Sequence, residues 1–176
     1  MRHFVSTLAL IVSLCAASVS QVSSNFFTVS VATTADLPKV PYSTLGHPGV
    51  MVWTSVEPSR GVFNFRAIDN FVKNAPQVNG VAQIVLDLAY TPSWAVADQS
   101  KCRPQGKIAV CLVPPDNSQD WTDFLTALIS HYNGTAAPHV LAYEIWCEAN
   151  NPQFWRGSVA DLANLGALAY PILKSD

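Results

Sequence analysis

Val81 to Leu88 is the stretch that most constrains the fold, because it is apolar at both strand parities and is broken only by Gln83 and Asp87. A strand with one wet face alternates apolar and polar residues. A short run that does not alternate must be covered on both sides, and such strands belong to parallel sheets flanked by helices. Tyr90-Thr91-Pro92-Ser93-Trp94 follows, with Pro92 expected to stop the ladder.

The rest of the chain fits the same architecture. Phe26 to Ala32 is rich in β-branched residues and Gly49 to Trp53 is short and apolar, so both are strand candidates. A turn-rich connection over Val56 to Gly61 leads to a helix from about Arg66 to Asn74, with Ile68, Phe71 and Val72 on one face. Ala95 to Gln119 reads as a long loop holding Cys102, Cys111 and Pro114-Pro115, of a length that usually carries function. Asp120 or Ser118 is expected to cap a helix over Trp121 to Tyr132, whose apolar stripe is Phe124, Leu125, Leu128 and Ile129. A strand over Val140 to Trp146 and a helix over Val159 to Leu173 complete the pattern. Strands alternating with helices predict βαβ units and a parallel sheet, an α/β fold.

Met1 to about Ser20 reads as a signal peptide, with Arg2 and His3 as its basic start. Its apolar run, Leu8 to Ala17, is too short for the roughly 20 residues that span a bilayer. Cleavage is expected before Gln21, with Ala17 as a second position and an uncleaved anchor as the alternative reading. The mature chain, 21–176, is then expected to be soluble, secreted and without a membrane span. Cys15 leaves with the signal. An oxidising route favours a disulfide between Cys102 and Cys111, leaving Cys147 odd. Asn133-Gly134-Thr135 is an N-glycosylation sequon. A formal net charge of −2 with 12% charged residues gives no basic surface for nucleic acid and no acidic tail. No motif implies a cofactor or a metal.

The chemistry-bearing stretch is Tyr143-Glu144-Ile145-Trp146-Cys147-Glu148-Ala149-Asn150, where a strand-like run ends on a carboxylate beside a tryptophan. It resembles the Trp-Asn-Glu-Pro-Asn signature of retaining glycoside hydrolases, with Cys147 where that family has Asn and Ala149 where it has Pro. Three further segments resemble the same family in order and spacing: Glu57 to Phe65, Tyr90 to Ala95, and Asp120 to Phe124 with His131 to Gly134. Asn151 to Gly157 extends the match beyond the signature. The likeness covers roughly Gly49 to Asp176 and is closest to the family-thirty-nine (xylosidase- and iduronidase-like) type.

The resemblance implies a (β/α)₈ barrel, of which this chain holds about the first four strand–helix units. About 155 residues follow the signal, against about 250 for a full barrel, so the chain looks like an N-terminal half. Its open edges call for a C-terminal half barrel as partner. By the same resemblance Glu148 is the general acid/base and carbohydrate is the substrate. The nucleophile lies on a later strand, so the chain alone is expected to be inactive. Cys147 takes the place of an Asn that bonds the sugar 2-OH, and a thiol is a weaker donor and acceptor. A nucleophilic Cys147 would need a base such as His47, His131 or His139, none placed by a motif. The bland reading of Cys147 is a small buried hydrophobe.

Trp53, Trp94 and Trp155 fall at or just after expected strand ends and are candidates for stacking on sugar, with core packing as the alternative for each. Asn150 is a candidate for orienting the Glu148 loop. Trp146 is expected to line the barrel interior or pack, and Trp121 to be core. Glu57 and Arg60 are expected to form a turn pair, Tyr90 to touch substrate or pack, and Asp87 to approach the mouth. Glu144 and Glu148 share strand parity if the strand continues, which would separate their Cα atoms by about 13 Å. The competing class is a non-catalytic carbohydrate-binding relative.

Overall fold

The computed structural model describes residues 28–30, 44–47, 52–79, 83–132 and 139–174. The elements are β1 (Thr28–Ser30), β2 (Thr44–His47), α1 (Val52–Val56), α2 (Arg66–Asn79), β3 (Gln83–Asp87), β4 (Thr91–Pro92), β5 (Cys102–Gln105), β6 (Ile108–Cys111), α3 (Ser118–Tyr132), β7 (His139–Glu144) and α4 (Val159–Leu173). The signal segment, Cys15 and the Asn133 sequon lie outside the described residues.

Strands β1, β2, β3 and β7 form one sheet in that order, and every neighbouring pair is parallel. Parallel neighbours need a crossover. Helices α1 and α2 lie in the crossover from β2 to β3, and α3 lies in the one from β3 to β7. Ile84 and Leu86 of β3 have no exposed surface and Val85 on the opposite face is half-buried, as a strand between covered faces requires. The β3–β7 register slips between Ile84 and Val85, so that Val140 faces Ile84 but Ala142 faces Val85. This bulge at Leu141 sets Glu144, rather than Tyr143, opposite Asp87 at the end of the pair.

Helix α3 covers the sheet with Trp121, Phe124, Leu125, Leu128, Ile129 and Tyr132, a stripe at the helical repeat. Its cap is neither Ser118 nor Asp120. The Gln119 N–H donates to Asn117 Oδ1 at 3.0 Å, which makes Asn117 the capping residue. Asp120 is buried instead, in an ion pair with Arg60. Helix α4 opens on a capping box, Ser158 and Asp161 each satisfying the other's backbone N–H.

Four expectations are corrected. Val52 and Trp53, the described end of the Gly49–Trp53 strand candidate, sit in α1, and β2 lies earlier, at Thr44–His47; residues 49–51 lie outside the described residues. Thr44 pairs on both sides, with Thr28 and Gln83, so sheet pairing fixes the strand where local hydrophobicity did not. The Ala95–Gln119 loop contains the β5–β6 hairpin, and Pro92 begins no break: β4, β6 and β5 form a second, antiparallel sheet. Its prolines, Pro92 and Pro104, lie on the two outer strands, where a missing N–H is tolerated. Gly106, at φ 60°, opens the two-residue turn between β5 and β6, a position that favours glycine. A disulfide joins Cys102 and Cys111, which face each other across that hairpin. The strand expected to reach Trp146 ends at Glu144, and residues 147–150 form a turn.

Candidate carboxylate site at the ends of β3 and β7

Asp87 and Glu144 are the last residues of β3 and β7 and are register partners. The ladder closes one step later, where the Leu88 N–H donates to the Glu144 carbonyl at 2.8 Å. Both chains then leave the sheet through left-handed backbone: Tyr90 at φ 64°, Trp146 at φ 69° and Glu148 at φ 49°. Side-chain-bearing residues rarely hold that conformation, at a cost of about 1–3 kcal/mol each, and such positions gather at functional sites. The surroundings over-determine them. Thr54 Oγ1 donates to the Tyr90 carbonyl at 2.7 Å, and the Tyr90 ring meets Trp146 edge-on with centroids 5.8 Å apart. Trp146 Nε1 donates to the Phe154 carbonyl at 2.9 Å, and its ring packs edge-on against Trp155 at 4.5 Å.

The charges of three carboxyls, Asp87, Glu144 and Glu148, bear on Cys147. Asp87 is only 3% exposed, and its Oδ1 has no hydrogen-bond partner among the described residues. Burial pushes its carboxyl up to about 7, the neighbouring Glu144 charge adds to the rise, and a hydrogen bond from the Cys147 backbone N–H opposes it. Glu144 and Glu148 are exposed. The half-buried Cys147 is a free thiol, pushed up to about 11 by burial and then by Asp87, Glu144 and Glu148. It is therefore protonated at neutral pH, the opposite of an activated nucleophile. The expected distance between Glu144 and Glu148 assumed a continuous strand; the turn removes that premise.

Sequence reasoning missed the fourth wall. Arg103, on β5, places its guanidinium 5.8 Å from the Tyr90 ring centroid and 6.0 Å from that of Phe154. Burial raises the Tyr90 hydroxyl's pKa, and Arg103 pulls it back. Arg103 Nε and Gln105 Oε1, two residues apart and so on one face of β5, are buried without hydrogen-bond partners among the described residues. The signal was present as a Cys-flanked segment with a central glycine, but it reads as a loop unless the hairpin is recognised.

The tryptophan candidates divide. Trp53 has no exposed surface: its Nε1 donates to Glu57 Oε2 at 2.8 Å and its ring stacks on Phe124 at 5.3 Å. Trp155 is 6% exposed, donates from Nε1 to the Ser158 carbonyl at 3.2 Å and lies against Gly157, where any Cβ would collide with its ring. Neither has a free face for a sugar ring, because large apolar rings with a satisfied N–H gain most from burial. Trp94 is half-buried, its Nε1 bound to the Glu57 carbonyl at 2.9 Å and the Arg60 guanidinium 5.0 Å over its ring. It belongs with Trp53 to the Glu57 cluster rather than to the Glu148 turn.

Glu57 does not pair with Arg60. It is buried, accepts from Trp53 and from the Gly61 N–H at 2.8 Å, and is raised above its ordinary value by burial. Arg60 turns to Asp120 because that carboxylate is buried on α3 and needs a counter-charge. Asn150 is exposed, and the residue that ties the Glu148 turn together is Asn151. The Asn151 N–H donates to the Glu148 carbonyl at 2.9 Å, its carbonyl accepts from Phe154 and Trp155, and its Oδ1 accepts from the Gln153 N–H.

Among the described residues, no group of three or more His, Cys, Asp or Glu side chains is arranged to hold a metal ion, and no helix is long and apolar enough to cross a membrane. An open cavity of about 480 Å³ lies away from the carboxyls, between β7 and α4, lined by Val140, Tyr143, Ile145, Ala169, Tyr170 and Leu173 among others. No protein-family model and no curated protein matches the chain.

Proposed function

We propose that the chain is the N-terminal part of a secreted retaining glycoside hydrolase built on a (β/α)₈ barrel, with Glu148 as the general acid/base and a β-linked glycan as substrate. The observation that carries this reading is the position of Glu148. It follows the C-terminal end of a strand in a parallel sheet whose strands run in chain order, beside Asp87 and Glu144 at the same end. Functional residues of (β/α)₈ enzymes gather at that end. The resemblance of Tyr143 to Gly157 to the acid/base segment of these hydrolases adds the chemistry. Glu148 would protonate the leaving oxygen and later activate water, while a second carboxylate, about 5–5.5 Å away and carried on a later strand, attacks the anomeric carbon.

Cys147 favours a second reading, a non-catalytic carbohydrate-binding relative. A protonated thiol stands where the resembling hydrolases use an amide to bond the 2-OH, which weakens the contact that tightens in the transition state. Both readings require sugar binding at Glu148. Calorimetric titration with cellotetraose and xylotetraose should detect binding that weakens at least tenfold in Glu148→Gln. Failure of both sugars to bind the folded protein, or equal binding by the variant, would overturn the proposal. Hydrolysis of aryl β-glycosides by this chain would eliminate the non-catalytic reading and the need for a later nucleophile.

A further inference from the structure

We propose that the disulfide-closed β5–β6 hairpin is the positioning element of the Glu148 turn, acting through the bond from the Arg156 N–H to the Leu112 carbonyl. The inference deepens the reading of Glu148 as the acid that meets sugar, and rests on that reading for its functional consequence. The ladder between β3 and β7 ends at Asp87 and Glu144, so its pairing does not extend to Glu148. Trp146 and Glu148 are both left-handed, and such backbone persists only where its surroundings hold it. The first support is local. The Asn151 N–H donates to the Glu148 carbonyl, and the Phe154 and Trp155 N–H groups donate to the Asn151 carbonyl, all at 2.9 Å. Trp146 Nε1 donates to the Phe154 carbonyl, also at 2.9 Å. These bonds tie residues 146–155 into one unit without fixing where that unit sits.

The hairpin supplies the fixed point, and both of its arms reach the unit. The Arg156 N–H donates to the Leu112 carbonyl at 2.6 Å, and Leu112, with no exposed surface, is the first residue beyond β6. From β5, the Arg103 guanidinium lies 6.0 Å from the centroid of the Phe154 ring. The arms are joined at their base. The Leu112 N–H donates to the Lys101 carbonyl at 3.1 Å, and the next register pair, Cys102 and Cys111, carries the disulfide. The β6 arm is also anchored to the exit of β3: Thr91 pairs with Cys111, and its Oγ1 donates to the Val113 carbonyl at 2.6 Å. The β5 arm is the outer strand of its sheet, and its residues are half-buried or exposed. A short pair of strands is marginal in water without a further tie. The disulfide is therefore what keeps Arg103 and Leu112 in place together.

The test is the double variant Cys102→Ala/Cys111→Ala, which removes the tie and leaves both contacts to the turn segment intact in sequence. Amide hydrogen exchange should be at least tenfold faster at Arg156 and Asn151, with α3 amides unchanged. The Trp146 indole N–H signal, which reports the bond to the Phe154 carbonyl, should shift. Unchanged exchange at Arg156 and Asn151 in the folded variant overturns the proposal, because the buried Trp155 then holds the segment by itself. Should the variant not fold, native-state exchange of the wild type in rising urea decides. The Arg156 and Leu112 amides must open together and before those of α3; opening apart, or only with α3, overturns the proposal. Cellotetraose affinity should fall at least threefold in the double variant, and equal affinity in the two proteins overturns the positioning role. Absence of cellotetraose binding by the wild type would count against the sugar reading, while the exchange result still judges the hold on the turn.

Discussion

Asp87→Asn should abolish a pH dependence of stability that the wild-type protein carries between about pH 4 and pH 7. In the unfolded chain Asp87 ionises near 3.8, whereas in the folded protein it is pushed up to about 7, by burial first and Glu144 second. Between those values the folded state holds a proton that the unfolded state has released. The unfolded state therefore binds fewer protons, and stability falls as pH rises through the window and levels off above it. The shift spans about three units at about 1.4 kcal/mol each, a ceiling of about 4 kcal/mol. Asparagine has the shape of the protonated acid and cannot ionise. The variant should thus match the wild type near pH 4 and exceed it at pH 8 by about 2–4 kcal/mol. The raised Glu57 titrates in the same sense in both proteins and cancels from the difference. Urea denaturation at half-unit steps from pH 4 to 8 measures the gap directly. Two curves that run parallel, with the gap changing by less than about 1 kcal/mol, would refute the assignment of a buried, proton-holding Asp87.

Two further outcomes follow from the packing. Trp53→Ala should lose about 3–5 kcal/mol in chemical denaturation, because a fully buried indole packed on Trp94, Trp121 and Phe124 leaves a cavity and strips Glu57 of a donor. Reduction of Cys102–Cys111 should cost about 2–3 kcal/mol for a short loop and loosen Arg103 from Tyr90, read as faster proteolysis at the β5–β6 hairpin while α3 and α4 stay protected.

The elements legible in the sequence are those whose own pattern is sufficient. Val159 to Leu173 reads as a helix and is one, its start fixed locally by Ser158 and Asp161. The stripe of α3 and the two-sided apolarity of β3 likewise carry their meaning in residue spacing. The readings that failed concern segments whose state depends on a partner far along the chain. The β5–β6 hairpin is short and half polar, and β2 lies where Thr44 meets both Thr28 and Gln83 rather than where the chain is most apolar. Tryptophan burial was left open between stacking and packing for a related reason: an indole near a strand end looks the same in sequence whether its ring faces solvent or lies in the core.

For the candidate site, the sequence alone determined the chemistry available: a carboxylate after a strand, a tryptophan before it, and a thiol between them. Tertiary structure decided the arrangement. A bulge at Leu141 set Glu144 against Asp87, two left-handed residues turned Glu148 out to solvent, and a hairpin from the intervening chain brought Arg103 to Tyr90. Spacing along a chain fixes which groups are present at a strand end. Which of them is buried, charged or held in place depends on neighbours that only folding brings within reach.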